Sequence, residues 1–277
     1  MGLASFLISA DAARDAVKAE IRAVTGFDPL LRGPVSVSLF PSGTVSFADV
    51  VLGDGGDGRP AFAAEGLIAH LRFFPLLIGH VEVADVSLLR PTIAISFDSN
   101  GQSNWSPLIE TLTRALGPDA SHGERKVSFS EMRISDGTVV VRDPTHGFAE
   151  ELTGVEFSLA WPSISKSFGA TGHFVWREEP VEASFTLGDF AAALGGQRSG
   201  LKFRLAGSPL RVLFDGTMSR KPSVKIEGTL AADATSLRDA LRWAGEKPWP
   251  GGGFGRFALK AQTSLVGGTI SLSGVNV

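Results

Sequence analysis

Leu201-Lys202-Phe203-Arg204-Leu205 decides the fold class. Its apolar residues fall at every second position with cations between them. In an extended chain Leu201, Phe203 and Leu205 therefore line one face, and Lys202 and Arg204 the other. The same period recurs outward in both directions. Downstream it marks Leu210/Val212/Phe214, Val224/Ile226 and Phe257/Leu259. Upstream it marks Ala183/Phe185/Leu187, the even positions from Phe168 to Trp176, Val155/Phe157/Leu159/Trp161 and Val139/Val141. Near the start it returns in Val35/Val37/Leu39, Val45/Phe47, Val81/Val83 and Ile93/Ile95/Phe97. This amounts to about 13 strands against three or four helices, with no alternating βαβ pattern.

The helices carry their own start and stop signals. Ser9 can cap a helix from about Ala10 to Val24 whose apolar stripe is Ala13, Val17, Ile21 and Val24 and whose stop is Gly26. That stripe predicts packing over one end of the sheet. Ser106-Pro107 opens a second helix that ends at Gly117-Pro118. Two short ones open at Asp189 and at Ser236 and end at Gly195-Gly196 and Gly245. Pro41-Ser42-Gly43 and the run from Gly53 to Gly58 supply tight reversals, so the pairing is antiparallel by default. The polar stretch from Gly117 to Lys126 lacks apolar periodicity and divides the chain into two modules, 1–118 and 119–277. About 13 strands at roughly 4.8 Å spacing would extend on the order of 60 Å. The expected fold is thus mainly β: an elongated, curved antiparallel sheet, trough or half-pipe, or a pair of packed sheets, with an N-terminal amphipathic helix and a few short helices.

Composition removes several function classes. With 26 Lys+Arg against 29 Asp+Glu and no long basic run, the chain lacks the electrostatic footprint of a nucleic-acid binder. Cys is 0, which removes disulfides, thiolate chemistry and Cys-ligated zinc. The stretch Phe73 to Gly79 is apolar but falls far short of the roughly 20 residues that a membrane span needs. Ser163-Ile164-Ser165-Lys166 has Ser-x-x-Lys spacing without the partner motifs of that chemistry. The Gly251 to Gly255 run precedes a strand pattern, where no helix terminus can meet a phosphate. Asp54 and Asp57 are too few oxygens for calcium. The five His residues have no metal-ligand spacing, and Glu150-Glu151 and Glu178-Glu179 point to opposite faces of a strand. No catalytic residue, metal or cofactor is expected, and the chain reads as noncatalytic.

What remains is the breadth of the apolar files, with Phe 19 and Tyr 0. A closed sandwich would bury them against each other; a groove would offer them to a nonprotein occupant. The groove reading assigns its lining to Ile93, Ile95 and Phe97 in the first half. In the second half it takes Phe157, Leu159, Phe185, Leu187, Phe203, Leu205, Val212, Phe214, Val224 and Ile226. Thr92, Ala94, Ser158, Thr186, Lys202, Arg204, Lys225 and Glu227 then face solvent.

Several ordered signatures add a family likeness. They are Ala23-Val24-Thr25-Gly26, Arg32 to Pro41 and Phe47 to Gly53; then Pro75 to Val83, Leu88 to Ile93 and Gly101-Gln102-Ser103-Asn104-Trp105. Gly172 to Trp176, Glu179-Pro180-Val181 and Ser236 to Leu241 follow in order. Together they resemble the AsmA family of bacterial envelope proteins, itself similar to the chorein-type bridge proteins. The resemblance implies curved β modules with a lipid-lined groove in the periplasm, anchored to the inner membrane, conducting phospholipids toward the outer membrane. Phospholipid acyl chains are then the partner. The alternative is a structural or assembly factor that contacts outer-membrane proteins. The resemblance also implies an anchoring helix before Ser9 and further strands past Val277, so that the sequence is a portion of a longer protein.

Overall fold

The computed structural model describes residues 26–38, 43–55, 58–72, 83–116, 131–160, 167–220, 224–266 and 269–277, with positions 15, 18, 19 and 22 ahead of them. Among these residues the fold is mainly β, with fifteen strands in mixed pairing and three short helices. Of the expected first helix, Asp15, Lys18, Ala19 and Arg22 are helical. Gly26, at φ +72°, donates its N–H to the Arg22 carbonyl at 2.9 Å. The stripe Ala13, Val17 and Ile21 lies outside the described residues, as do Ser163, Lys166 and the expected boundary from Gly117 to Lys126. The chain separates into two compact units, 1–112 with 132–150 and 113–131 with 151–277.

In the first unit β3 (Thr44–Leu52) is flanked on one side by β1 (Leu30–Leu31) and β2 (Val35–Ser38) and on the other by β4 (Phe62–Leu71). Along β4 run β5 (Val83–Leu89) and then β6 (Thr92–Ser96), both antiparallel to it. They are one strand line broken at Arg90-Pro91. Arg90 has φ +44°, Pro91 is fully buried and has no N–H to give a ladder, and the Pro91 carbonyl instead accepts from Thr138 N–H at 2.8 Å. The next strand, β7 (Glu131–Asp143), pairs with β6 in parallel, Thr92 opposite Thr138 through Ser96 opposite Arg142. This corrects the all-antiparallel expectation. A parallel pair needs a long crossover, and the segment carrying α1 (Ser106–Leu116) supplies it.

The Gly101 to Trp105 signature holds that crossover to the sheet. Asp98 accepts the N–H groups of Asn100 and Gln102, both at 2.8 Å, which closes the turn after β6. Asn104 then acts as a surrogate strand: its Oδ1 accepts from Ser96 N–H at 3.0 Å and its Nδ2 donates to the Ala94 carbonyl at 2.9 Å. Trp105 Nε1 donates to the same carbonyl at 2.8 Å, and its ring meets Phe27 edge-on at 5.8 Å. Phe47, Val50, Leu52, Phe62 and Leu88 form the core on which Phe27, Ile93 and Trp105 pack.

The second unit is a meander. Its strands are β8 (Phe148–Ala160), β9 (Phe168–Trp176), β10 (Glu179–Leu187), β11 (Ser199–Gly207), β12 (Arg211–Ser219), β13 (Lys225–Ala234), β14 (Phe257–Val266) and β15 (Thr269–Asn276). Each is antiparallel to the next. Helix α2 (Phe190–Leu194) joins β10 to β11, and Asp189 caps it by accepting from Ala192 N–H at 2.9 Å. Helix α3 (Leu237–Trp243) joins β13 to β14, with Ser236 as its cap. The β9–β10 reversal places Arg177 and Glu178 at φ +50° and +66°, a conformation that usually asks for Asn or Gly. It is braced from α3: Arg177 Nη1 donates to the Trp243 carbonyl at 2.8 Å, and Trp243 Nε1 donates to the Trp176 carbonyl at 3.0 Å.

Two outcomes follow for the first unit. Asn104→Ala removes both surrogate ladder bonds and should destabilise the chain by about 1–3 kcal/mol, read as a lower urea midpoint; an unchanged midpoint would refute the role given to Asn104. Arg90 hydrogen-bonds Glu65 at 2.7 Å and thereby holds that carboxyl below the usual carboxylate range. A lowered folded-state pKa stabilises above the unfolded value, and the effect fades as pH falls through the folded one. Arg90→Gln should therefore melt below wild type at neutral pH and converge with it in acid.

Candidate functional site

The register of the second unit sorts its side chains onto two faces. Leu159, Ala170, Phe185, Phe203, Phe214, Leu230 and Ala261 stand opposite one another across seven strands, β8 to β14. The adjacent row is Phe157, Gly172, Ala183, Leu205, Val212, Ala232 and Leu259. At about 4.8 Å per strand each row runs roughly 29 Å, and the rows lie about 7 Å apart along the strands. A bulge brings Phe157 into this alignment: the register shifts between Thr153 and Glu156, where Gly154 takes φ +54°.

Helical segments cover the two ends of this face. At one end Leu187, Leu201 and Ala193 are buried, with Phe168 and Phe190 packed against them. At the other Trp243 is buried and meets Trp176 edge-on at 4.6 Å, near buried Phe174 and Val181. Between the ends Phe185, Phe203, Leu205, Val212, Phe214 and Leu230 are only half-buried. The rings of Phe214 and Phe157 lie low over the sheet. A Cβ at Gly216 or Gly228 would sit 2.8 or 2.9 Å from Phe214 Cζ, and one at Gly172 would sit 2.8 Å from Phe157 Cδ2. Glycine thus gives the aromatic rings room to lie against the backbone.

The opposite face is mostly polar, with several ion pairs and with Leu213 and Val175 exposed on it. Lys202 meets Asp215 at 3.0 Å, Arg211 meets Asp233 at 3.6 Å and Arg198 meets Glu227 at 3.1 Å. Lys225, hydrogen-bonding Glu227, holds that carboxyl below its usual range. Exposed pairs of this kind contribute little to stability; their effect is to keep the face wet and so fix which face is apolar. A hollow of about 440 Å³ on this side is lined by polar Ser184, Thr186, Lys202, Arg204, Asp215 and Thr229 and by apolar Leu213, Ala231, Phe203 and Phe214.

The residues assigned to a groove from the sequence fall into three groups. Phe157, Leu159, Phe185, Phe203, Leu205, Val212, Phe214 and Ile226 share the apolar face of the second unit, and Leu187 shares it but is buried under α2. Val224 precedes β13 and is exposed. Ile93, Ile95 and Phe97 belong to the first unit, where Ile93 packs on the core and Phe97 bridges to Ser103. Leu230 and Leu259 were missing from the sequence assignment although the register puts them in the rows. Glycine at 228 and alanine at 232 hide the period around Leu230, whereas Leu259 shows the period but is not assigned to the lining. Elsewhere His70 meets Asp85 at 2.7 Å and His146 meets Asp143 at 2.7 Å within a turn. No helix among the described residues is long and apolar enough to cross a membrane.

A mainly β chain with one mostly polar and one half-buried apolar face is the class that this architecture defines. Residues 4–208 match the AsmA family, and the chain belongs to it. Membership fits a protein of the bacterial envelope. No individual curated protein matches the chain.

The glycine floor is open to a direct check. Valine is the better strand former, yet Gly228→Val should destabilise by about 1–3 kcal/mol because its side chain would collide with the Gly216 backbone and the Phe214 ring. Equal or greater stability in chemical denaturation would contradict the close approach of β12 and β13.

Proposed function

We propose that the chain is the periplasmic part of an inner-membrane-anchored envelope protein that binds phospholipid acyl chains on the apolar face of its second unit. It passes them toward the outer membrane without chemical change. The observation that carries this reading is the double apolar row, half-buried between two helix-covered ends. An exposed methylene costs about 0.8 kcal/mol in water, so ten of them laid on such a face recover on the order of 8 kcal/mol. One bilayer leaflet offers roughly 15 Å of hydrocarbon, half of a ~30 Å core. A row of roughly 29 Å accommodates that length with the headgroup at the rim. AsmA membership supports the envelope setting.

A second reading, a scaffold for the assembly of outer-membrane proteins, draws on β15. This strand ends the order of the second unit, is exposed along its whole length and carries Ile270, Leu272 and Val275 at 68%, 47% and 52% exposure. Exposed apolar side chains of this kind can contact another protein.

The two readings part on one experiment. Phe203→Asp and Phe214→Glu put a carboxylate at the middle of the apolar face. On an open face it stays hydrated, so both variants should fold by circular dichroism yet lose the phospholipid that native mass spectrometry detects on the parent. In a closed core each charge would cost several kcal/mol and unfold the unit. Unfolded variants together with a lipid-free parent would sink the lipid reading and leave the scaffold.

A further inference from the structure

Trp249 is 79% exposed, the most exposed aromatic side chain of the described residues. It lies between Pro248 and Pro250 in the connection 245–256 from α3 to β14. The backbone around it is held in place. Arg238 of α3 donates to the Trp249 carbonyl at 3.1 Å and to the Gly251 carbonyl, and its guanidinium stands 5.0 Å from the centre of the Phe254 ring. At the far end of the loop the N–H groups of Leu237 and Arg238 donate to the carbonyls of Gly255 and Phe254, at 2.8 and 3.2 Å. The loop is tied to the start of α3 at Trp249 itself and at three positions after it, before it the Glu246 N–H donates to the Leu241 carbonyl at 2.8 Å, and the flanking prolines restrict the backbone further. The indole is therefore presented outward on a fixed loop while its burial energy goes unused.

Its surroundings are cationic. Arg238, Arg242, Lys247 and Arg256 stand against Asp239 and Glu246, in a chain whose formal net charge is -3. Arg242 is engaged with Asp239 at 3.1 Å, while Lys247 and Arg256 are exposed.

We propose that the loop 245–256 docks on the surface of an anionic phospholipid bilayer. Trp249 enters the interfacial layer, and Lys247 and Arg256 meet the lipid phosphates. An indole with an apolar body and one polar N–H suits that layer, and nearby cations are drawn to an anionic surface. A protein partner would need a contiguous apolar centre within about 800 Å² of surface. The neighbours of Trp249 are instead proline and glycine, with Pro248 and Phe254 half-buried. The docking does not depend on lipid occupying the apolar rows.

The whole chain is mixed with vesicles of phosphatidylethanolamine and phosphatidylglycerol, some carrying bromine-labelled acyl chains. Wild type should co-sediment at low salt and release as salt rises. Part of its tryptophan emission should shift to the blue and be quenched by the bromine. Trp249→Ala should bind on the order of tenfold more weakly and lose the shift, and Lys247→Glu with Arg256→Glu should weaken binding while keeping the circular dichroism of the parent. Equal sedimentation by Trp249→Ala, or equal binding to neutral phosphatidylcholine vesicles at any salt, would overturn the proposal. Phospholipid copurifying with Trp249→Ala as with wild type keeps this outcome separate from the acyl-binding reading. If vesicle docking persists in a parent that carries no copurified lipid, the docking stands and the acyl-binding reading fails.

Discussion

Successive side chains on a strand point to opposite faces, and from β8 to β14 the second unit keeps that alternation in register. Everything else about the unit depends on it. Once Phe203 and Phe214 stand opposite each other, Lys202 and Asp215 must stand opposite each other on the reverse side. A one-residue slip would place cations among the aromatic rings and phenylalanine among the ion pairs. The exposed pairs stabilise little in themselves, but they penalise that slip. The bulge at Gly154 is the device that lets β8 join the alignment despite its extra residue.

An apolar face on a single layer of sheet is costly unless something shields it, and the unit shields it in two ways. Helix α2 with its leading Asp189 cap covers Leu187 and Leu201. Trp243 of α3 covers the other end and also braces the Arg177-Glu178 reversal. In the middle, glycines 172, 216 and 228 let Phe157 and Phe214 fold down over the backbone. Ring against backbone replaces ring against a second layer, so the middle keeps its fold without being covered. That is the physical basis for an apolar face that can remain half-open.

How much of this was legible in the sequence depended on whether a local pattern sufficed. The strand period of Leu201 to Leu205, and the caps at Asp189 and Ser236, are local signals, and they correspond to β11, α2 and α3. The parallel pairing of β6 with β7 was invisible because α1 reads as an ordinary capped helix; only its position between two strands of one sheet makes it a crossover. Leu230 escaped because glycine and alanine carry the period past Ile226 without an apolar signal. The division of the assigned lining was not legible either. Ile93 alternates as cleanly as Phe203, yet it packs on the core of the first unit. Alternation tells which residues share a face, not whether another element lies over that face.

The same distinction bears on what family membership can carry. The signatures at Leu88 to Ile93 and at Gly101 to Trp105 have structural work: a broken strand line around a buried proline, and a side-chain ladder that fixes the crossover. They explain why the first unit folds as it does. The match ends at residue 208, at the end of β11, whereas both apolar rows continue through β12, β13 and β14 with unbroken register. Six of the fourteen row positions therefore lie in strands that the family match does not reach. The case for that role rests on the physical continuity of the face, from Leu159 to Ala261, more than on the motifs that identify the family.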